Sequence, residues 1–556
     1  MEFRNQGDIL MTVSIERRRL LIGSALGLGA LLLPIGRALC AELVAAKGFT
    51  HNVASGEPAS DSMLLWTRYV PSASVDEVRL DVEIALDADF AHVIAGGSVR
   101  TGAYRDWTAK LTVDGLQPRT AYWYRFIAPD GGKSPAGRTR TLPVGEVERF
   151  GLGVFSCSNL ALGWFNAYAH AAAREDLDLW LHVGDYLYEY GIASYKDKEL
   201  IAGRDLMPAH DHEMISLLDY RLRHACYRAD PDLQRLHQIA PMIAFWDDHD
   251  TTNDCWEGGA SNHQPSEGDW STRRAAAMQA YREWLPVSEE PWQAYSIGTL
   301  ATLYRTESRL LARTRPAIAE LSRAQKANDP DAALRAFRDG VWLDPAATML
   351  GSDQESWLAH AFKRNAPTSV WQMVGMGTII GRTLMPEKVP DFVRADAGER
   401  VVNKFKRDVR ASRLGVPMWM DRWDGYPAAR SRLLAAAQRA DADLVMLSGD
   451  SHNAWAYSLT EDGQPAGVEF AGHSVTSPGI EKELGAGPAD VARAFVTTNP
   501  ELVWADTSQR GYMMIDINPR RVTGEYLFMR TVTSRSTALA DAHRISAERG
   551  RRKFSV

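Results

Sequence analysis

The chain has 556 residues, too many for one hydrophobic core, so more than one domain is expected. Its 45% apolar and 24% charged fractions are those of globular protein, and four cysteines exclude a disulfide-built scaffold. A net charge of −7 implies no nucleic-acid partner beyond a substrate, yet it does not exclude phosphate esters, because bound cations can dominate a site's local field.

Residues 1–41 read as an export signal. Arg17, Arg18 and Arg19 precede Leu20-Leu21 and an apolar run to Ile35 that is interrupted by Gly23, Gly27 and Gly29. The run is shorter than the ~20 residues a membrane span needs, so no stable span is expected in the mature protein. Paired arginines before Leu-Leu resemble a twin-arginine signal. That resemblance implies the twin-arginine export machinery as a partner and a periplasmic or secreted location.

Residues 48–145 read as a β-sandwich. Short apolar runs such as MLLWTRYV at Met63, VRLDVEIAL at Val78 and TAYWYRFIA at Thr120 recur between turn residues. The stretch LTVDGLQPRTAYWYRF resembles the end of a fibronectin type III module. No metal-ligating residues gather here, so this part is read as a packing or positioning domain.

From residue 150 to 534 the texture changes to α/β. FGLGVFSCSN is an expected buried strand, NAYAHAAARED a helix and LDLWLHVGDYLYEY the next strand. PMIAFWDDHD and DLVMLSGDSHNAW follow as further strands. Residues 305–327 read as a solvated helix, residues 381–426 as a polar rim or lid, and the polar, basic residues 535–556 as a frayed helical tail. The expected fold is thus an N-terminal β-sandwich followed by an α/β domain of central sheets flanked by helices.

Four expected strand ends carry polar residues: Cys157; Asp185 with Tyr188; Asp247, Asp248, His249 and Asn253; and Asp450, His452 and Asn453. All would emerge at one edge of a parallel sheet, where ligands bind. Taken alone, each has a bland reading as core thiol, turn or solvated loop; together they point to a metal site. A carboxylate and a phenol three residues apart, Asp185 and Tyr188, suit a hard trivalent ion. Glu189 and Tyr190, which come next, read as packing.

The motifs HNVASGEPASDSMLLWTR at His51, FSCSN at Phe155, GDYLYEY at Gly184, FWDDHDTTND at Phe245, LSGDSHNAW at Leu447 and WADTSQRGYMMIDI at Trp504 occur in one order along the chain. They make the sequence resemble the PhoD-type alkaline phosphatase and phosphodiesterase family, with its metallophosphoesterase-like catalytic domain. That family is similar to the purple acid phosphatases, whose Gly-Asp-x-x-Tyr is matched by Gly184 to Tyr188. The resemblance implies iron(III), Fe(3+), held by Cys157 and Tyr188, with Asp185 bridging to calcium, Ca(2+). Asp248, Asn253, Asp450 and His452 are the best candidates for the remaining ligands. The sequence leaves open whether Asp247 or Asp248 turns inward; Asp248 is favoured because it aligns with the ligand Asn of the purple enzymes' Gly-Asn-His pattern.

The implied reaction is hydrolysis of phosphomonoesters, phosphodiesters or both, by attack of metal-bound hydroxide on phosphorus. His249 is the candidate proton donor to the leaving oxygen, its alternative role being to orient Asp248. The nearest rival within the fold is a phospholipase D-like activity on lipid headgroups. A rival of another class is an inert surface-binding protein. The stretch after Ile297 matches the family loosely, so no substrate-binding arginine is carried over, and nothing in the sequence supports a Cys226–Cys255 disulfide.

Overall fold

Along Ala121–Ile127 the buried positions alternate, placing Tyr122, Tyr124 and Phe126 inward. That period of two builds one face of a four-stranded sheet, ordered Val93–Gly102, Glu77–Ala85, Ala121–Ile127 and Gly137–Arg140. It packs on the strands Gly48–Gly56, Ser62–Val70 and Thr108–Asp114 through a shared core that includes Val53, Leu65, Leu80, Ile84 and Phe126. The second layer is continuous with the α/β part of the chain. Gly48–Gly56 runs parallel to Met242–Phe245 at Gly56–Met242, so the sandwich layer is one end of a ten-stranded sheet.

The structure, a computed structural model, describes residues 39–195, 200–204 and 206–555. The export signal read in residues 1–41 lies outside them but for its last three positions. Among the described residues no helix is long and apolar enough to cross a membrane.

At the centre of the ten-stranded sheet, Phe150–Phe155, Leu179–Val183 and Met242–Phe245 run parallel and are buried at every position. Continuous apolar runs of this kind belong to strands covered on both faces. One cover is a second sheet of seven strands, in which Ala301–Arg305, Trp371–Gly375, Asp443–Ser448 and Gln464–Ala471 are parallel neighbours. Leu152, Val154, Leu181 and Phe245 of the first sheet share a core with Leu303, Met373, Val445 and Leu447 of the second. Helices cover the outer faces. Leu217–Arg228, Pro231–Ile239 and Trp270–Trp284 contribute to the core outside the first sheet, and Ser352–Asn365 and Pro427–Arg439 to that outside the second.

Two expectations are corrected. The four polar strand ends do not share one parallel sheet: the strand before Asp450 belongs to the second sheet, and the other three belong to the first. The site is therefore assembled across two stacked sheets. The described part of the tail, residues 535–555, is not a frayed helix either. Leu539–Glu548 pairs antiparallel with Arg521–Met529, and Phe554–Ser555 extends the sheet by one more strand. Ile545, Ala547 and Phe554 reach the inter-sheet core. Burial of these few side chains outweighed a composition that is otherwise basic and polar.

Candidate metal centre

The strand ends deliver their polar residues through unusual backbone. Cys157 (φ 57°), Asp185 (φ 53°), Asp450 (φ 62°) and His452 (φ 62°) all sit in the left-handed region. For residues with a Cβ this conformation is sparsely populated and costs roughly 1–3 kcal/mol each. Four such residues converging on one place mark it as built for something other than stability. Gly184 (φ 106°) makes the turn at Asp185 feasible, since a side chain there would collide with Asp247. A further carboxylate locks the loops together. Asp250 accepts from the backbone N–H of Asp185 (2.9 Å), Tyr186 (3.0 Å) and Asp247 (2.9 Å).

The side chains converge on Asp185. Cys157 Sγ donates to Asp185 Oδ2 at 3.4 Å. Tyr188 Oη lies 3.2 Å from Asp185 Oδ2 and 3.1 Å from His452 Nε2, two acceptors competing for one phenol hydrogen, and it accepts from Ser477 Oγ at 2.7 Å. His452 Nδ1 donates to the Pro478 carbonyl at 2.8 Å, which fixes the tautomer and leaves Nε2 with its lone pair toward the cluster. Burial holds the His452 imidazole neutral, its pKa lowered to about 3. Asp450 Oδ2 accepts from Thr378 Oγ1 (3.1 Å) and Arg422 Nε (3.0 Å).

Asp247 and Asp248 both turn inward, which the sequence left open. Asp247 is gripped by two nitrogens along one edge of the Arg309 guanidinium, Nε to Oδ1 and Nη2 to Oδ2, the latter at 2.9 Å. Asp248 Oδ2 accepts from the Asp254 N–H at 2.7 Å, while Asp248 Oδ1 is buried and has no hydrogen-bond partner among the described residues. Asn253 is held less closely. Its backbone N–H donates to Glu189, and its amide oxygen meets only Tyr190 Oη, at 3.5 Å.

Ligand atoms lie within 4.8 Å of one another in four overlapping groups: Cys157–Asp185–His452, Asp185–Asp248–His249, Asp247–Asp248–Asp450 and Asp248–Asp254–Asp421. The electrostatics show what the groups lack. Burial, and then the charges of Asp185 and Asp450, push the Cys157 thiol up. Burial, Cys157 and Asp185 do the same to the Tyr188 phenol, and burial raises Asp185 despite the nearby His249. So much anionic chemistry in one buried place keeps its protons unless positive charge enters. Positive charge brought by metal ions is what this set of sulfur, nitrogen and oxygen donors fits.

Several residues that the structure brings to this site escaped the sequence reading. Arg309 is fully buried, pairs with Asp247 and Asp421, and comes within 3.7 Å of Asp248. It belongs to a loop, buried over residues 306–310, after Ala301–Arg305, where periodicity reads a solvated helix. Asp421 and Arg422, which face the cluster, come from the stretch read as a rim. Glu189 is not packing: its Oε2 lies 2.7 Å from His249 Nδ1. Although burial opposes it, Glu189 is held below the usual carboxylate range by His249. No disulfide joins Cys226 to Cys255, and the Cys255 thiol lies 3.8 Å from the Asp248 carbonyl.

Stacked α/β sheets with oxygen, nitrogen and sulfur donors gathered at their strand ends define a phosphoric ester hydrolase of the metallophosphoesterase kind. The solved structure of a purple acid phosphatase from yellow lupin (Lupinus luteus) seeds shares the fold, at TM-score 0.52 and 11% identity, over 90% of this chain and 74% of that one. The chain belongs to the PhoD-like phosphatase family: that family's pattern matches residues 152–526, and the pattern of the PhoD-like phosphatase N-terminal domain matches residues 37–143. Alkaline phosphatase D of Bacillus subtilis (strain 168) is 29% identical over 520 residues, 88% of this chain and 79% of the relative. The solved structure of PhoD superposes at TM-score 0.74 with 26% identity, covering 92% of each chain.

Proposed function

We propose that the chain is an exported, metal-dependent phosphoesterase that hydrolyses phosphomonoesters, phosphodiesters or both. Cys157, Tyr188, His452 and Asp185 would hold iron(III). Asp185 would be shared with calcium, for which Asp248 and Asp450, Asp247 (which the sequence left open) and the newly found Asp254 and Asp421 are the acidic candidates. Asn253 stays in the proposal as a further oxygen donor, its amide oxygen held only by the long Tyr190 contact. The observation that carries the reading is the buried Asp248 Oδ1: among the described residues it makes no hydrogen bond, the Arg309 guanidinium stays 3.7 Å away, and Asp248 belongs to three of the four ligand groups. An oxygen so placed costs free energy unless a cation or donor meets it.

When bound, the metals would supply charge to a developing phosphoryl dianion and an activated water nucleophile. The chain's own residues do the rest. His452 offers a neutral nitrogen because its other nitrogen is committed to Pro478. Arg309 and Arg422 hold Asp247 and Asp450 in place. His249, against Asp185 and Asp248, is the group positioned to give a proton to the leaving oxygen.

Metal analysis of the purified protein tests the reading. Iron and calcium are expected together, and their removal by chelators abolishes turnover; zinc, or no metal, would overturn the assignment. A panel of p-nitrophenyl phosphate, its bis ester and phosphatidylcholine tests the substrate class, with turnover of the lipid alone contradicting it. Export is tested separately: lysine at Arg18 and Arg19 should leave the protein in the cytoplasm, and unchanged export would dismiss the twin-arginine route.

A further inference from the structure

Glu189 is wholly buried, yet its hydrogen bonds divide unevenly between its two oxygens. Oε1 accepts from the Asn253 N–H (2.8 Å), Asn262 Nδ2 (3.1 Å) and Thr252 Oγ1 (3.2 Å). Those three donors pin the carboxylate to the loop after His249. Among the described residues Oε2 is left to a single partner, His249 Nδ1, at 2.7 Å. Because a carboxylate only accepts, the hydrogen on that side belongs to Nδ1.

The imidazole is also fixed by its neighbours on either side. The Tyr188 ring lies against it at a tilt, centroids 4.3 Å apart at 32°, and the Tyr190 ring meets it edge-on at 5.3 Å and 62°. Glu189 and its two flanking tyrosines thus set the ring's tilt and its rotation about the Cβ–Cγ bond. With Nδ1 committed, Nε2 is the nitrogen available to a reacting oxygen.

We infer that Glu189 is the positioning residue of the proton-donating histidine, holding His249 so that Nε2 meets the oxygen that leaves phosphorus. The inference rests on the proton-donor role proposed for His249. In the step concerned, a new bond forms between phosphorus and the oxygen of water, and the bond to the leaving oxygen breaks. The electron pair departs with that oxygen, and the proton on His249 Nε2 passes to it, giving the free alcohol. The water's proton returns to the imidazole through solvent. An alkoxide is a poor leaving group and needs that proton in the transition state; p-nitrophenolate is stable enough to depart without it.

The experiment compares glycerol 2-phosphate with p-nitrophenyl phosphate for the holoenzyme, Glu189→Gln, His249→Asn and the double variant, with iron and calcium measured in each. Glu189→Gln is expected to slow the alkyl ester about 100-fold and the nitrophenyl ester no more than about tenfold. His249→Asn should show the same selectivity, and the double variant should be no slower than His249→Asn alone. Equal losses on both esters in His249→Asn would overturn the proton-donor reading and this inference with it. Selective loss in His249→Asn but not in Glu189→Gln would overturn the positioning role alone. Should Glu189→Gln lose metal or fold, Glu189→Asp decides, since it keeps the charge and shortens the reach: an alkyl-selective loss supports the role, and equal losses on the two esters overturn it.

Discussion

Asp185→Asn lowers kcat on phosphate esters by about 10³-fold or more and leaves the unfolding temperature close to that of the parent chain. The two halves of this expectation have separate causes. Asparagine matches the carboxyl group in shape, and Asp185 is already pushed toward its protonated form by burial among Asp247, Asp248 and Asp250. The fold therefore loses little when the charge is removed. Its oxygens receive Cys157, Tyr188 and the His249 N–H, contacts that an amide can keep in part. What an amide cannot do is serve as an anionic ligand shared between two cations, and that is the role proposed for this side chain. Cys157→Ala should behave alike, with loss of iron as its distinguishing mark. Turnover within tenfold of the parent in both variants, with iron and calcium retained, would end the metal assignment.

How much of this was legible in the sequence depended on whether a residue's job is local. Gly184-Asp185-x-x-Tyr188 and Asp248-His249 could be read because a strand end projects its next residues to one place, whatever the rest of the chain does. Cys157, Asp450 and His452 were legible for the same reason, and the structure brings all of them together. The sheets that carry them were legible too, as apolar runs four to six residues long. Their stacking was not, because nothing in Asp443–Ser448 tells which sheet it joins.

Residues whose role is to satisfy others stayed hidden. Arg309 lies in a run rich in arginine, where charge ordinarily means a solvated face, and only the fold shows that Asp247 and Asp421 meet it. Glu189 sits next to the motif and was still misread, since its partner His249 is sixty positions away. The same limit applies to Leu539–Glu548, whose pairing with Arg521–Met529 depends on two or three apolar contacts among many polar residues.

Arg309→Met should cost about 3–5 kcal/mol of stability, the largest single loss expected in the protein away from its hydrophobic cores. The guanidinium is inaccessible to solvent and makes a two-pronged contact with Asp247, and its remaining nitrogen donates to Asp421 Oδ2 at 2.6 Å. Methionine fills similar space but supplies no donor. Asp421 keeps Arg313, whose Nη2 donates to Oδ1 at 2.7 Å, so the damage falls on Asp247. That carboxylate is already pushed up by burial, with Arg309 the charge that opposes the rise. Without Arg309 it is a buried acid facing Asp248 and Asp450, and it must take up a proton or open the loop to water. Arg309→Lys restores charge without the fork and should recover only part of the loss. Adding Asp247→Asn to Arg309→Met should recover more than half of it, because the second change removes the charge left stranded by the first. Urea unfolding midpoints of the four proteins, measured with calcium present, decide the matter. An Arg309→Met protein as stable as its parent would mean that bound cations alone neutralise Asp247, and that the arginine is dispensable to the fold.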